Sequence, residues 1–191
     1  MSAFALKEWA VTCEALASGT QVLIVRKGGI GEKRFSLPHP VFYLFPTYAH
    51  QRPDLVKPEF HDDFGGALFQ TDDPERLPLA LWAEMVDAVP ITDQGALVAL
   101  DPLHTLTQDY AEERLKWRRK HPLWAVILRV HRLDDPPVLE VTAEHGGCVS
   151  WIALPETIPA PAGGTPACDG GAFEAQRDAI TTALAPFVAA G

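Results

Sequence analysis

The chain has 191 residues, 47% of them hydrophobic and 21% charged, with 16 Lys and Arg against 25 Asp and Glu. That length suits one domain or two small ones, and the apolar content excludes a mostly disordered chain. A formal net charge of −9 excludes a wholly basic nucleic-acid coat protein, and no apolar run approaches the roughly 18 residues that span a bilayer.

The opening residues Met1 to Glu8 lack the basic region and apolar stretch of a secretory signal. Cys13, Cys148 and Cys168 are odd in number and widely separated, which suits reduced thiols. A cytoplasmic protein without membrane contact or cofactor is expected.

Phe4, Leu6, Trp9, Ala10, Cys13, Leu16 and Ala17 recur at three- and four-residue spacing, which predicts a first helix capped by Ser2 and ended by Gly19. Gln21 to Arg26 is rich in β-branched residues and predicts a strand. Gly28-Gly29-Ile30-Gly31 supplies a turn, with Arg34 to Leu37 as a hairpin return, and Val41 to Phe45 is a third strand. From Pro46 to Pro78, prolines and scattered acids (Asp54, Glu59, Asp62, Asp63, Asp72, Asp73, Glu75) predict irregular structure of a length that is often functional.

Leu79 to Ile91 reads as extended, and Thr92-Asp93 caps a helix through Leu100. Thr107 or Asp109 caps another helix running to about Trp117. Trp124 to Leu133 is the strongest strand, with Val126, Leu128 and Val130 alternating against Ile127, Arg129 and His131. Pro136-Pro137 breaks it, Val138 to Val141 resumes, and Gly146-Gly147 turns into a last strand, Cys148 to Leu154. Phe173, Ile180, Leu184 and Phe187 then mark a C-terminal helix. The expected organisation is a single α+β domain over 1–154, a Pro/Gly-rich linker over 155–171 and a helix over 172–191. Strands do not alternate regularly with helices, so a doubly wound sheet is excluded in favour of a small mixed or antiparallel, barrel-like sheet with flanking helices.

Charge is unevenly placed. Residues 114–132 hold seven cations (Arg114, Lys116, Arg118, Arg119, Lys120, Arg129, Arg132) and no acid, with Trp117 and Trp124 interleaved. Cations displace counterions from phosphates and indole faces accept bases, so this segment is a candidate nucleic-acid surface; a solvated helix end explains Lys116 to Lys120 equally well. Arg26, Lys27, Gly28 and Gly29 place two cations beside backbone amides that can approach an anion, although a hairpin turn also accounts for the glycines. Together with Arg129 and Arg132 they form the candidate phosphate-binding set.

Tyr48, His50, Gln51 and Arg52 follow the third strand as a polar cluster. Tyr48, His50, Gln51, Trp117 and Trp124 are the candidates for stacking on a base or reading its edge. His50 and His104 are the candidate acid–base groups, since an ordinary imidazole titrates near neutrality. His61, Asp62 and Asp63 offer weak metal-ligand chemistry with no recognised zinc spacing. Cys148 and Cys13 read as core residues.

The words Ala5-Leu-Lys-Glu-Trp9, Arg26-Lys-Gly-Gly-Ile30, Phe45-Pro-Thr-Tyr-Ala-His-Gln51, Asp101-Pro-Leu-His104 and Gly146-Gly-Cys-Val-Ser-Trp151 resemble those of a bacterial family catalogued as a domain of unknown function (number 1802). The resemblance spans roughly residues 3 to 155 and implies no activity. More distantly, the strand order, with Leu81 to Val86 leading to a capped helix and then the 124–133 strand, is similar to small barrels of the PUA, ASCH and EVE type, which implies recognition of RNA or modified bases. A restriction-nuclease core is excluded, because Thr142 stands where the pattern following Glu140 needs lysine.

The leading expectation is a module that binds nucleic acid, RNA or a single strand, or a modified base. The alternative is an enzyme that cleaves a phosphodiester or modifies nucleic acid with His50 and nearby acids. A third reading uses the acidic 54–75 loop to hold a basic protein partner.

Overall fold

The computed structural model describes residues 3–27, 38–48, 51–62, 73, 75–110, 113, 123–147 and 149–188. Strand β1 (Phe4–Trp9) runs directly into helix α1 (Ala10–Ala17), followed by β2 (Leu23–Arg26) and β3 (Val41–Thr47). Then come β4 (Arg76–Pro78), β5 (Leu81–Ile91), α2 (Gln94–Leu100), β6 (Leu123–Arg132) and β7 (Val138–Glu140). β8 (Trp151–Ala153), β9 (Thr165–Pro166) and α3 (Gly170–Leu184) complete the order. The main sheet runs β2-β6-β5-β3-β1-β8, with β9 on β6, and a separate ladder joins β4 to β7. The β1–β3 pair is parallel and the other ladders are antiparallel, so the fold is α+β with a mixed sheet.

The predicted first helix is half strand. Helical spacing across 4–9 is real, but both edges of β1 are taken, by β3 and by β8, and ladder bonds on two sides outweigh a local period. Seven of the eight residues of α1 are buried, including Ala10, Cys13, Leu16 and Ala17. These pack with Leu6 of β1, Ile24 of β2, Phe42 and Leu44 of β3, Leu81 and Ala83 of β5, and Val126, Leu128 and Val130 of β6. Five strands contribute to one cluster around a helix this short, so the sheet curves about it.

The opposite face of β2 and β6 is covered by α2 and α3, through Leu23, Val25, Ala125 and Ile127 against Leu97, Leu100, Phe173, Ile180 and Leu184. β6 is therefore buried on both faces, which is why its pattern is so strongly apolar. Asp93 caps α2 by accepting from Gly95 N at 2.6 Å, as the sequence predicts, and Asp169 caps α3 by accepting from Ala172 N at 2.9 Å. Val138 to Val141 does not rejoin the main sheet; beyond Pro136-Pro137 its residues pair with β4 instead. Residues 51–62 are irregular, as expected, with 3-10 turns at Pro53–Leu55 and Pro58–Phe60 and a bridge from Val56 to Leu106, whereas Pro46 and Thr47 still belong to β3 and Arg76–Pro78 is strand β4. The predicted hairpin return at 34–37, the acidic residues of 63–72, Cys148 and most of the helix leading to Trp117 lie outside the described residues.

The stretch that composition marks as a linker is laid along the sheet. Ile158 is buried, Tyr43 Oη donates to Pro159 O at 3.2 Å, Trp82 Nε1 donates to Gly163 O at 3.0 Å, and Ala167 N donates to Val130 O at 2.9 Å. β9 extends the edge of β6 that β2 leaves uncovered, opposite His131 and Arg132. Proline and glycine here fit a strap that must turn tightly. Gly164 has φ +84°, and a Cβ on it would meet the backbone carbonyl of Arg132, whereas Gly163 at φ +72° has open space.

Gly164→Ala is expected to cost about 2 kcal/mol or more and Gly163→Ala about 1 kcal/mol, because both pay for a left-handed backbone but only Gly164 is also pressed against β6. Urea denaturation of the two variants measures the difference; equal losses would show that the close approach of the strap contributes nothing.

Candidate ligand-binding site

The parallel strands β1 and β3 end together, with Glu8 opposite Pro46 and Trp9 opposite Thr47. α1 begins at the next residue of β1, so its first amides need acceptors at once. Two side chains supply them. Glu8 Oε1 accepts from Trp9 N at 2.8 Å, and Gln51 Oε1 accepts from Val11 N at 3.0 Å. Glu8 Oε2 accepts from Arg26 Nη1 at 3.1 Å, which ties the start of α1 to the end of β2. This is a buried pair, with side chains 5% and 15% exposed. Burial of a paired charge is tolerable only because both carboxylate oxygens are used.

Arg26 is in register with Trp124 on β6, and directly opposed residues of a ladder share a face. Trp124 is partly buried against the cluster around α1. One end of the sheet therefore presents a guanidinium held by a carboxylate beside an indole. In the first turn of α1, the Thr12 hydroxyl is buried and has no hydrogen-bond partner among the described residues. Burial pushes the Cys13 thiol up well above its ordinary range, and the carboxylates of Glu8 and Glu14 push it further while Arg26 opposes them. Cys13 is thus held as a thiol, in keeping with a core role. Tyr48 is 47% exposed at the end of β3, its phenol raised first by burial and then by Glu14 and Cys13.

The other sequence candidates separate. Lys27 is buried and already engaged. Arg129 shares a face with His131, as alternation predicts, but that face is turned away from α1. Its guanidinium bonds Glu174 at 3.1 Å and lies 3.9 Å from the centre of the Phe173 ring, both on α3. Arg132 is exposed at the far end of β6. At about 3.3 Å per strand residue, Trp124 is some 17 Å from Arg129 and 26 Å from Arg132 along β6. One small ligand cannot reach all three cations.

His104 is buried in a different layer, where Lys57 Nζ donates to its carbonyl at 2.8 Å and to that of Asp101. Burial, then the nearby Lys57 charge, lowers its imidazole to about 4, against smaller opposing effects of Asp101 and the Leu106 backbone. It is neutral at pH 7 and packed as structure. His61 Nε2 lies 3.1 Å from Pro53 O and 2.9 Å from Val56 O, so that nitrogen donates there. Among the described residues no group of three or more His, Cys, Asp or Glu side chains could hold a metal ion. Gly28, Gly29, His50, Asp63 and Trp117 lie outside the described residues, and Asp62 is exposed.

Sequence reasoning missed Glu8, Thr12 and Glu14. A signal for Glu8 existed: on a strand it shares a face with Leu6, an apolar core position, and a charge there needs a partner.

Burial of His104 has a pH signature. Its folded-state value of about 4 lies below the ordinary 6.5, so the unfolded chain binds the proton more readily. Stability from this residue is complete above pH 6.5 and is lost as pH falls towards 4, by about 3 kcal/mol in all. Urea midpoints at pH 7, 5.5 and 4.5 should fall steadily for the natural chain and less steeply for His104→Asn. Parallel curves would remove His104 as the source. Gln51→Ala should lower stability by about 1 kcal/mol at every pH, through loss of the acceptor for Val11 N.

A family model described as a domain of unknown function (DUF1802) matches residues 5–179. No curated protein matches the chain. Solved structures similar to it include ASCH from Zymomonas mobilis, with a TM-score of 0.45 and 14% identity over 81% of this chain and 88% of that one. Two single-residue mutants of that ASCH protein give a TM-score of 0.42, at 14% identity over 82% and 92% of the two chains, and at 13% identity over 80% and 88%. No helix among the described residues is long and apolar enough to cross a membrane. The family match runs through β1, the site around α1 and the strap to most of α3, and on that extent the chain belongs to the DUF1802 family, a domain of unknown function.

Proposed function

We propose that this chain is a nucleic-acid-binding module that takes a base of a single strand, of RNA above all, at the end of the sheet where Arg26 faces Trp124. The cross-strand pairing of that guanidinium with a partly buried indole carries the reading. An indole face stacks on any base, and a guanidinium held in one orientation can read an edge. Glu8 fixes the orientation by its 3.1 Å bond.

The cations from Arg114 to Lys120 precede Trp124 directly in the chain. Cations that adjoin a stacking residue in sequence are suited to phosphates flanking a bound base. Arg132 would extend such a track only for a strand that follows β6 along its length.

The test is fluorescence anisotropy with labelled 12-nucleotide RNA, single-stranded DNA and duplex DNA at 50 and 300 mM salt. Single strands should bind at low salt, with affinity falling at least tenfold at high salt. Trp124→Ala should weaken binding by about 1–3 kcal/mol while the fold survives. No binding by any of the three at 50 mM salt would overturn the reading.

A further inference from the structure

The site contains its own anion. Glu8 is 4% exposed, and both of its carboxylate oxygens are committed, one to the start of α1 and one to Arg26. The charge of Arg26 is therefore answered within the protein before any ligand arrives. Glu14, in α1, adds a second carboxylate, which like Glu8 raises the Cys13 thiol and also acts on Tyr48. Lys27, the nearest further cation in the chain, is buried and engaged. A sequence that reads as a phosphate cradle, Arg26-Lys27-Gly28-Gly29, thus presents at Arg26 a neutralised guanidinium.

We infer that Glu8 is a specificity-determining residue that turns phosphate away from Arg26, so that the site accepts an uncharged base edge and refuses an anion. A phosphate at Arg26 would have to displace a carboxylate that also holds Trp9 N, and would lie against Glu8 in surroundings that screen poorly. A base edge brings no charge to repel and can share the guanidinium with Glu8. The inference rests on the reading of this end of the sheet as a ligand site, and it differs from it in naming what the site excludes.

Two measurements test it, and neither depends on nucleic-acid binding. In the natural chain, the Arg26 Nε–H resonance is followed by NMR during titration with inorganic phosphate to 20 mM. No saturable shift is expected, and a saturable shift with millimolar Kd would overturn the inference without a variant. In Glu8→Gln, with the fold checked by near-UV circular dichroism, inorganic phosphate should now bind at Arg26 at least tenfold more tightly than in the natural chain. The double variant Glu8→Gln with Arg26→Gln should lose that gain. A folded Glu8→Gln that is as indifferent to phosphate as its parent would sink the inference.

A third arm compares the four ribonucleosides with their 5′-monophosphates. The natural chain should prefer at least one nucleoside over its monophosphate by tenfold or more, and Glu8→Gln should erase the preference; a natural chain that favours the monophosphate overturns the inference. If no nucleoside or oligonucleotide binds, the proposed function falls, while the phosphate arms still decide whether Glu8 guards Arg26.

Discussion

An eight-residue helix with seven buried residues sets the terms for the rest of this structure. Such a helix cannot leave its end groups to water, and it cannot lie on a flat sheet, because a flat sheet covers one side only. Strands β1, β2, β3, β5 and β6 therefore curve around α1, and residues 51–56 and 106–110 close its remaining side, through Leu55, Val56, Leu106 and Tyr110 against Trp9 and Val11. The polar accounting follows the same logic at both ends. Gln51 and Glu8 accept amides at the start, and the carbonyl of Ala15 near the end accepts from Gln21 N at 3.2 Å. Gln21 in turn is buried and accepts from Thr105 N at 2.9 Å, which fastens the 101–106 segment to the same helix.

The proposed site lies against the start of α1, whose first residues Ala10 to Cys13 are all buried. Strands β1 and β3 end there and the helix starts there, so backbone donors and charged side chains gather within one turn. The side chains that satisfy the helix are the same ones that shape the site, and Glu8 belongs to both. On the proposed reading, stability and recognition are coupled at Glu8, whereas the Trp124 indole packs partly buried at the margin of the core.

Legibility of the sequence divides along the range of the forces involved. β2, β3, β5 and β6, α2 with its Asp93 cap and the body of α3 were readable, because their burial patterns and caps lie within a few residues. β1 was not, since Phe4, Leu6 and Trp9 fit a helical period as well as a strand, and the partners that decide it are β3 and β8. The strap was hidden by composition: proline and glycine describe a flexible linker and a tightly turned band equally well. Arg26 was singled out as a cation, but the carboxylate that answers it stands 18 positions away, and nothing local distinguishes a paired guanidinium from an open one. Arg129 shows the same limit. Alternation placed it on one face with His131, yet the Glu174 that occupies it is 45 positions away.

The position of β1 within the sheet has a consequence for how the chain reaches this state. β1 is flanked by β3 on one side and by β8 on the other, and Lys7 Nζ donates to the carbonyls of Gly146 and Gly147, 139 and 140 positions away. During synthesis from the N-terminus, β1 would emerge early and remain without its second neighbour until most of the domain had followed. An apolar strand with one open edge is a template for pairing with another chain, so the interval before β8 arrives is the period of greatest exposure to misassembly.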